Sequence, residues 1–278
     1  MSVEEKIREF NRKHPWPDAD GIKSLYRFSK IDMQNINFLE ELFKNRKLYH
    51  ALPNQFNDPF ECKPHFNWPS NPNKVKDIRN RLIKVARNRG STKKEAEALI
   101  SKNMRKPGFI EANIYGAIQK TFSEMRICCF TKSKENLLFW AHYADSHKGF
   151  CLEYDATILP VKFAFKVVYE NKYPEVEYPR PDDARGLAPA LIKSKDWEYE
   201  DEYRTIYIPE AQTKLTGDGI SLLLPENAIK NIYFGSDIDV SNKEKILGLL
   251  AEGPFNPQIW QAKLSKSSFQ LEFINEPS

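Results

Sequence analysis

Apolar residues recur along the chain with two different periods, and the period sets the expected element. "SLYRFS" at 24–29, "RICCFT" at 126–131, "FCLEYD" at 150–155 and "EYRTIYI" at 202–208 read as strands, as do "KLYHALP", "FAFKVVY", "SLLL", "IKNIYFG", "QIWQAKL" and "FQLEFI". "NINFLEELFKNR" carries apolar residues at helical spacing. Residues 75–104 predict two helices broken at "RGST", where Ser91 or Thr92 caps the second. Further helices are expected at 110–125, across "KENLLFWAHYADSHKG" to a stop near Gly149, at 184–194 and at 240–251, with a loop over 173–184. Strands and helices mix without a regular βαβ rhythm. The expected fold is therefore a single mixed-sheet α+β domain spanning 1–278, with residues 74–106 as a helical insertion.

Composition narrows the class. Of the 278 residues 41% are hydrophobic and 29% charged, a balance unlike that of disordered chains. No apolar run approaches the ~20 residues of a membrane span, and "MSVEEKIREFNRKHP" has no apolar signal core, so a cytoplasmic location with no membrane contact is expected. The four cysteines, Cys62, Cys128, Cys129 and Cys151, lack C-x-x-C spacing and read as reduced core thiols; no metal is predicted. The net charge of +4 is unevenly placed: residues 74–106 hold twelve Lys or Arg against three Asp or Glu, leaving the remainder acidic. Such a block attracts nucleic acid or an acidic partner, or forms a solvated hairpin; both readings stand at this point.

Gly-rich dinucleotide and phosphate loops, zinc-protease helices, nucleophile elbows and nucleic-acid recognition motifs are absent. What remains is scattered. Glu198, Glu200 and Glu202 fall on alternate positions, with Arg204 following and Lys193 or Lys195 upstream as counter-charge. On a strand they would share one side, and crowding would raise the proton affinity of at least one. Arg27 sits on an otherwise apolar strand, where burial requires an anion: a carboxylate such as Glu61 or Glu202, or a ligand phosphate. Asn57-Asp58-Pro59 is a turn. Thr131 and Ser133 end a buried strand, placed either to donate into a cleft or to cap a helix. Trp140, Tyr143 and His147 share a helix face, while His142 and His147 are poorly spaced for joint metal ligation.

"LYRFSK", "FNDPFE", "ICCFTKSKENLLFWAHYADSHKGFCLEYD" and "WEYEDEYR" together resemble the bacterial domain of unknown function 2971 family from about residue 24 to 236. The order of an arginine-bearing first strand, a hydroxyl-bearing middle strand and Glu-x-Glu is also similar to ADP-ribosyltransferases of the arginine–serine–glutamate kind. That similarity implies NAD as substrate, Arg27 on its phosphate or ribose, and Thr131 bracing the nicotinamide half. It further implies Glu202 as catalytic carboxylate and Glu200 as the residue orienting a nucleic-acid or protein acceptor. Tyr26, Asn57, Asp58, Glu61, Trp140, His142, Tyr143, His147 and Arg204 complete the candidate binding set. Such chemistry would suit a toxin or phage-defence effector. "CFTKS" departs from a full Ser-Thr-Ser, and strands follow the glutamates where the pattern would end. Two alternatives remain: a hydrolase or nuclease whose carboxylates hold Mg²⁺ with His142 or His147 moving protons, and a non-catalytic nucleotide- or partner-binding module.

Overall fold

A computed structural model describes residues 2–63, 72–175, 184–208 and 217–276. In chain order the elements are α1 (Val3–Lys13), β1 (Ser24–Ser29), α2 (Ile36–Asn45), β2 (Lys47–Tyr49), α3 (Pro72–Asn88), α4 (Lys93–Asn103), α5 (Phe109–Glu124), β3 (Arg126–Thr131), α6 (Leu137–Tyr143) and β4 (Phe150–Asp155). They continue with β5 (Phe165–Lys166), β6 (Val168–Glu170), β7 (Ile192–Ser194), β8 (Glu202–Tyr207), β9 (Ser221–Leu223), β10 (Ile229–Phe234), α7 (Val240–Ala251), β11 (Gln258–Leu264) and β12 (Leu271–Glu276). The main sheet has eight strands in the order β12-β11-β10-β4-β1-β3-β8-β5, mixed because β10 and β11 run parallel. The protein is thus a single α+β domain built on a large mixed sheet.

Alternation along the strands feeds separate cores. Leu25, Phe130, Phe150, Leu152 and Tyr154 project to the side covered by α2 and α7, where Leu42, Phe43, Ile246 and Leu250 meet them. On the other side, Phe28, Cys151 and Tyr233 pack with Phe139 and Trp140 of α6. Also on that side, Ile127 and Ile206 pack with Phe10, Ile78 and Ile114. The neighbours Cys128 and Cys129 point to opposite faces, as strand geometry requires, and all four cysteines are free.

The sheet is tightly laddered except at one seam. β1 pairs with β4 at six positions, from Ser24↔Asp155 to Ser29↔Phe150, and β3 pairs with β8 at six, from Arg126↔Tyr207 to Thr131↔Glu202. Between β1 and β3 only Tyr26↔Thr131 is paired. The two half-sheets therefore diverge around one joint, leaving backbone edges apart and a space between them.

The basic segment folds as α3 and α4, turning at Gly90 with φ 99°. Thr92 caps α4: its hydroxyl accepts from the Glu95 amide at 3.3 Å, and the Glu95 carboxylate accepts from the Thr92 amide at 2.9 Å. Ile78, Ala96 and Ile100 are buried beneath it.

Three local expectations need correction. The helix through "LLFWAHY" stops at Tyr143 rather than near Gly149, because Asp145, Ser146 and His147 all take left-handed backbone angles (φ 48°, 52° and 68°). "FAFKVVY" is split, since β5 pairs with β8 whereas β6 joins β7 in a separate two-stranded sheet. Residues 184–194 form a 3₁₀ helix, Ala184–Ala190, and then strand β7. The loop expected over 173–184 lies outside the described residues for 176–183. No helix among the described residues is long and apolar enough to cross a membrane.

The turn after α6 is wedged against the start of the loop following β10. A Cβ on Gly235 would lie 2.0 Å from the His147 carbonyl oxygen, a collision with rigid backbone. Gly235→Ala is expected to lower stability by about 3 kcal/mol, near the upper end of ordinary single substitutions, as read by urea denaturation.

Candidate functional site

A cavity of about 600 Å³ opens at the seam between β1 and β3, within the size range of small-molecule sites. Its two ends differ in chemistry. At one end lie Arg27, Lys30, Gln34, Asn35, Phe38 and Tyr49; at the other lie Glu61, Tyr143, Lys193, Glu200 and Glu202.

Arg27 projects to the α2 side of the sheet, between Leu25 and Ser29. Its Nη1 donates to the Tyr49 carbonyl at 3.3 Å and contacts the Cys128 Sγ. Among the described residues no carboxylate pairs with it, so its charge faces the cleft without an internal counter-ion. The N-terminus of α2 borders this end, where Asn35 makes no side-chain cap. The Asp32 carboxylate already accepts there from the Gln34 and Asn35 amides at 3.0 and 2.8 Å, and the Ile36 amide donates to the Asp32 carbonyl at 3.0 Å. Phe38 stacks on Tyr49 with ring centroids 4.1 Å apart, forming a flat wall beside the arginine.

The opposite end is an ionic network. Lys193 Nζ lies 2.6 Å from Glu200, 2.9 Å from Glu61 and 3.6 Å from Glu202. Arg204 grips Glu202 through Nε and Nη2, each at 2.8 Å, and Nη2 reaches Glu61 at 2.8 Å. Its Nη1 donates to the Ala190 carbonyl at 2.8 Å. The Tyr143 hydroxyl donates to Glu200 Oε1 at 2.5 Å, and Asn57 donates to that hydroxyl at 3.5 Å. Five of the six carboxylate oxygens are occupied; only Glu61 Oε2 is buried without a partner. All five charged residues are at most 6% exposed, so their mutual pairing replaces water.

Local chain geometry brings the glutamates together in an unexpected way. The strand begins only at Glu202. Residues Lys195–Glu200 form a 3₁₀ helix, and Asp201 turns with φ 43°. Glu198 is consequently exposed, not aligned with the other two. Thr131 does not offer its hydroxyl to the cleft: it donates to the Glu200 carbonyl at 2.7 Å, holding that residue in place from within the cavity wall. The Glu202 amide donates to the Tyr169 hydroxyl at 2.9 Å.

The two glutamates are driven apart in acidity. Burial would raise Glu202, but Arg204 and then Lys193 overcome it and hold the carboxyl at about 2. Glu200 is raised, first by burial and then by the charge of Glu202. Burial alone would lower Lys193, yet the surrounding Glu202, Glu61 and Glu200 raise it. The Tyr143 phenol is raised by burial and by its bond to Glu200. One carboxylate is thus a fixed anion and its neighbour a group suited to exchanging a proton.

The cavity brings together Tyr26, Arg27, Asn57, Glu61, Thr131, His142, Tyr143, Glu200 and Glu202. Other candidates sit elsewhere. Trp140 is fully buried, and its indole donates to the Lys134 carbonyl at 2.8 Å. His147 stacks on that indole at 6.1 Å, away from the cleft. Arg204 is an internal counter-ion, 1% exposed, rather than a ligand contact. Asp58 is buried and accepts from the Phe60 amide at 2.9 Å, fixing the turn that delivers Glu61. The sequence did not signal Phe38, Tyr49 or Tyr169, because aromatic residues at those positions also fit ordinary core packing.

Fold and site together define an α+β protein whose sheet parts around a cleft with arginine at one end and paired glutamates at the other. Residues 139–205 match the model of the family described as "Protein of unknown function (DUF2971)". The match runs from within α6 into β8 and includes Tyr143, Lys193, Glu200, Glu202 and Arg204. No curated protein and no solved structure matched the chain.

Glu202→Gln is expected to cost about 3 kcal/mol, because Arg204 and Lys193 lose a charge they were buried against. Glu202 lies below the roughly 4.3 of an unfolded chain, so its stabilisation is complete above that pH and disappears as pH falls toward about 2. Urea denaturation between pH 7 and pH 3 should show that acid loss in the parent protein and a flatter profile in Glu202→Gln.

Proposed function

We propose that the cleft binds NAD and breaks its nicotinamide–ribose bond, transferring ADP-ribose to an acceptor, in the manner of ADP-ribosyltransferases. The observation that carries this reading is the pairing, in one cavity, of an arginine with no carboxylate partner among the described residues and a network of glutamates. A dinucleotide has matching ends: a pyrophosphate that needs cations, and a ribose that becomes positively charged as its glycosidic bond breaks.

Arg27 holds the pyrophosphate, the guanidinium donating to its oxygens in parallel. The Phe38–Tyr49 wall offers a surface for the adenine ring. At the other end, Glu202 remains anionic and opposes the positive charge that develops on the ribose, as carboxylates do in glycoside hydrolysis. The C–N bond breaks with its electron pair passing to nicotinamide, which leaves neutral. An acceptor hydroxyl or amine then forms the new bond to the ribose carbon, and its proton passes to the Glu200 carboxylate. The raised proton affinity of Glu200 and its bonds to Tyr143 and Lys193 suit that task. Thr131 is a positioning residue here, acting through the Glu200 backbone. A carboxylate-held Mg²⁺ has less support, because Lys193, Arg204 and Tyr143 already occupy all the carboxylate oxygens but one.

The test is nicotinamide release from NAD, measured alongside the NAD-induced shift in melting temperature. The parent protein should show both. Arg27→Lys and Arg27→Ala should weaken NAD binding by about tenfold or more, since lysine cannot supply a planar pair of donors. Glu200→Gln should keep the thermal shift while slowing release by about 10²-fold or more. A parent protein that neither shifts with NAD nor releases nicotinamide, with nucleic-acid and protein acceptors supplied, rejects the reading.

A further inference from the structure

Outside the cleft, and outside a second cavity of about 670 Å³ that shares Glu61, Lys193 and His142 with it, positive charge concentrates on the α3–α4 hairpin. Residues 74–106 carry twelve Lys or Arg against three Asp or Glu, and folding sorts them. At about 100° per residue, Lys76, Lys84 and Arg87 fall in one row along α3, opposite the buried Ile78 and the partly buried Leu82. Lys94 and Lys102 fall in a row along α4, opposite the buried Ala96 and Ile100. All five cations are exposed, and none is held by a carboxylate among the described residues. Two of the three acids are engaged: Glu95 closes the cap with Thr92, and Glu97 lies 4.0 Å from Lys93.

Like charges gathered on successive turns repel one another, so folding gains nothing from these rows. A polyanion laid across them removes the repulsion. From a rise of about 1.5 Å per residue, Lys76 and Lys84 stand about 12 Å apart, as do Lys94 and Lys102. The exposed residues midway between them, Asn80 and Ala98, are short, so a long anion can lie along each helix. Ile78 and Leu82 belong to the core cluster that includes Ile114 of α5 and Ile127 and Ile206 of the sheet, which mounts the hairpin on the β3–β8 half-sheet.

We propose that the α3–α4 hairpin binds the phosphate backbone of double-stranded nucleic acid, without regard to base sequence. Three observations favour this polyanion. No Phe, Trp or Tyr occurs in 74–106, so the surface lacks the ring platforms on which single-stranded bases stack. A membrane-seeking helix backs its lysines with an apolar face free to enter lipid. Here that face is spent on the core, and Leu99 is the one large apolar side chain exposed on the hairpin among the described residues. Finally, duplex phosphates form a stiff, evenly spaced line that five helix-mounted cations meet together, whereas an acidic peptide must first be ordered. The proposal stands apart from the NAD reading, since no residue of either row lines the cleft.

Binding of the full chain to short labelled DNA and RNA duplexes, each in two unrelated sequences, is followed by fluorescence anisotropy without NAD. On DNA, five phosphate contacts imply a slope of about −4.5 in log K against log salt, a loss of about 500-fold between about 50 and 200 mM. Lys76→Gln/Lys84→Gln/Arg87→Gln should flatten the slope to about −1.8, and Lys94→Gln/Lys102→Gln to about −2.7. Lys263→Gln/Lys266→Gln, at exposed cations of the β11–β12 hairpin, should leave it unchanged. Every substituted position is exposed and glutamine is a good helix former, so the fold is retained. The two sequences should bind alike. A single strand of the same length, phosphatidylserine vesicles and poly-glutamate should all bind more weakly than the duplex. Binding to either duplex with these slope changes supports the proposal, and the tighter of the two names the source. It is overturned if the parent binds no duplex at low salt, if both row variants keep the parent slope, or if the control pair flattens it equally. Strong preference for one sequence, or for the single strand, the vesicles or poly-glutamate, also overturns it.

Discussion

Five charges buried together hold the site in shape. Glu61, Lys193, Glu200, Glu202 and Arg204 come from a turn, two strands and a 3₁₀ helix, and none has water to fall back on. Each is tolerable only because its opposite is within hydrogen-bond reach. The network therefore dictates how β7, β8 and the Asp58–Glu61 turn can sit. It also explains why Arg204, placed on the same face as Glu202 by simple alternation, is structural: moving it to a ligand would strand two carboxylates in the interior.

The seam supplies the other half of the design. A sheet laddered throughout would have no interior space, and its side chains would meet only the helices above and below. Because β1 and β3 share one pair of residues, side chains from opposite faces of the sheet reach a common cavity. Arg27 rises on the α2 face, whereas Glu202 and Thr131 belong to the other face, and the opening between the strands lets both line one space.

Much of the scaffold was readable from spacing. The strand containing Arg27, the α2 helix, the Thr92 cap, the Cys128/Cys129 alternation and the shared face of Glu202, Arg204 and Ile206 all follow from local periodicity and capping chemistry, which act within a few residues. The misreadings came from events that local pattern does not encode. The left-handed turn at 145–147 ends α6 early because the chain must pass close to Gly235, a neighbour distant in sequence. The extended run imagined through Glu198, Glu200 and Glu202 is broken at Asp201, whose backbone turn has no distinctive residue to announce it. Trp140 and His147 lie at spacings that mark a core more often than a site, and packing buries Trp140 with His147 stacked on it. Arg27 and the glutamates were nameable as candidates, but the seam that brings them to one cleft is a property of strand pairing across more than a hundred residues.

Lys193 stands in the wall between two chambers, its ammonium shared among three acids on one flank and laid over an indole on the other. A charge introduced in either chamber perturbs the field felt across that wall, without any backbone motion. Whatever free energy an occupant on one side contributes by drawing on this ammonium must reappear as altered affinity on the other, and by the same amount in reverse. Lys193 is accordingly the point at which the two compartments would be thermodynamically linked.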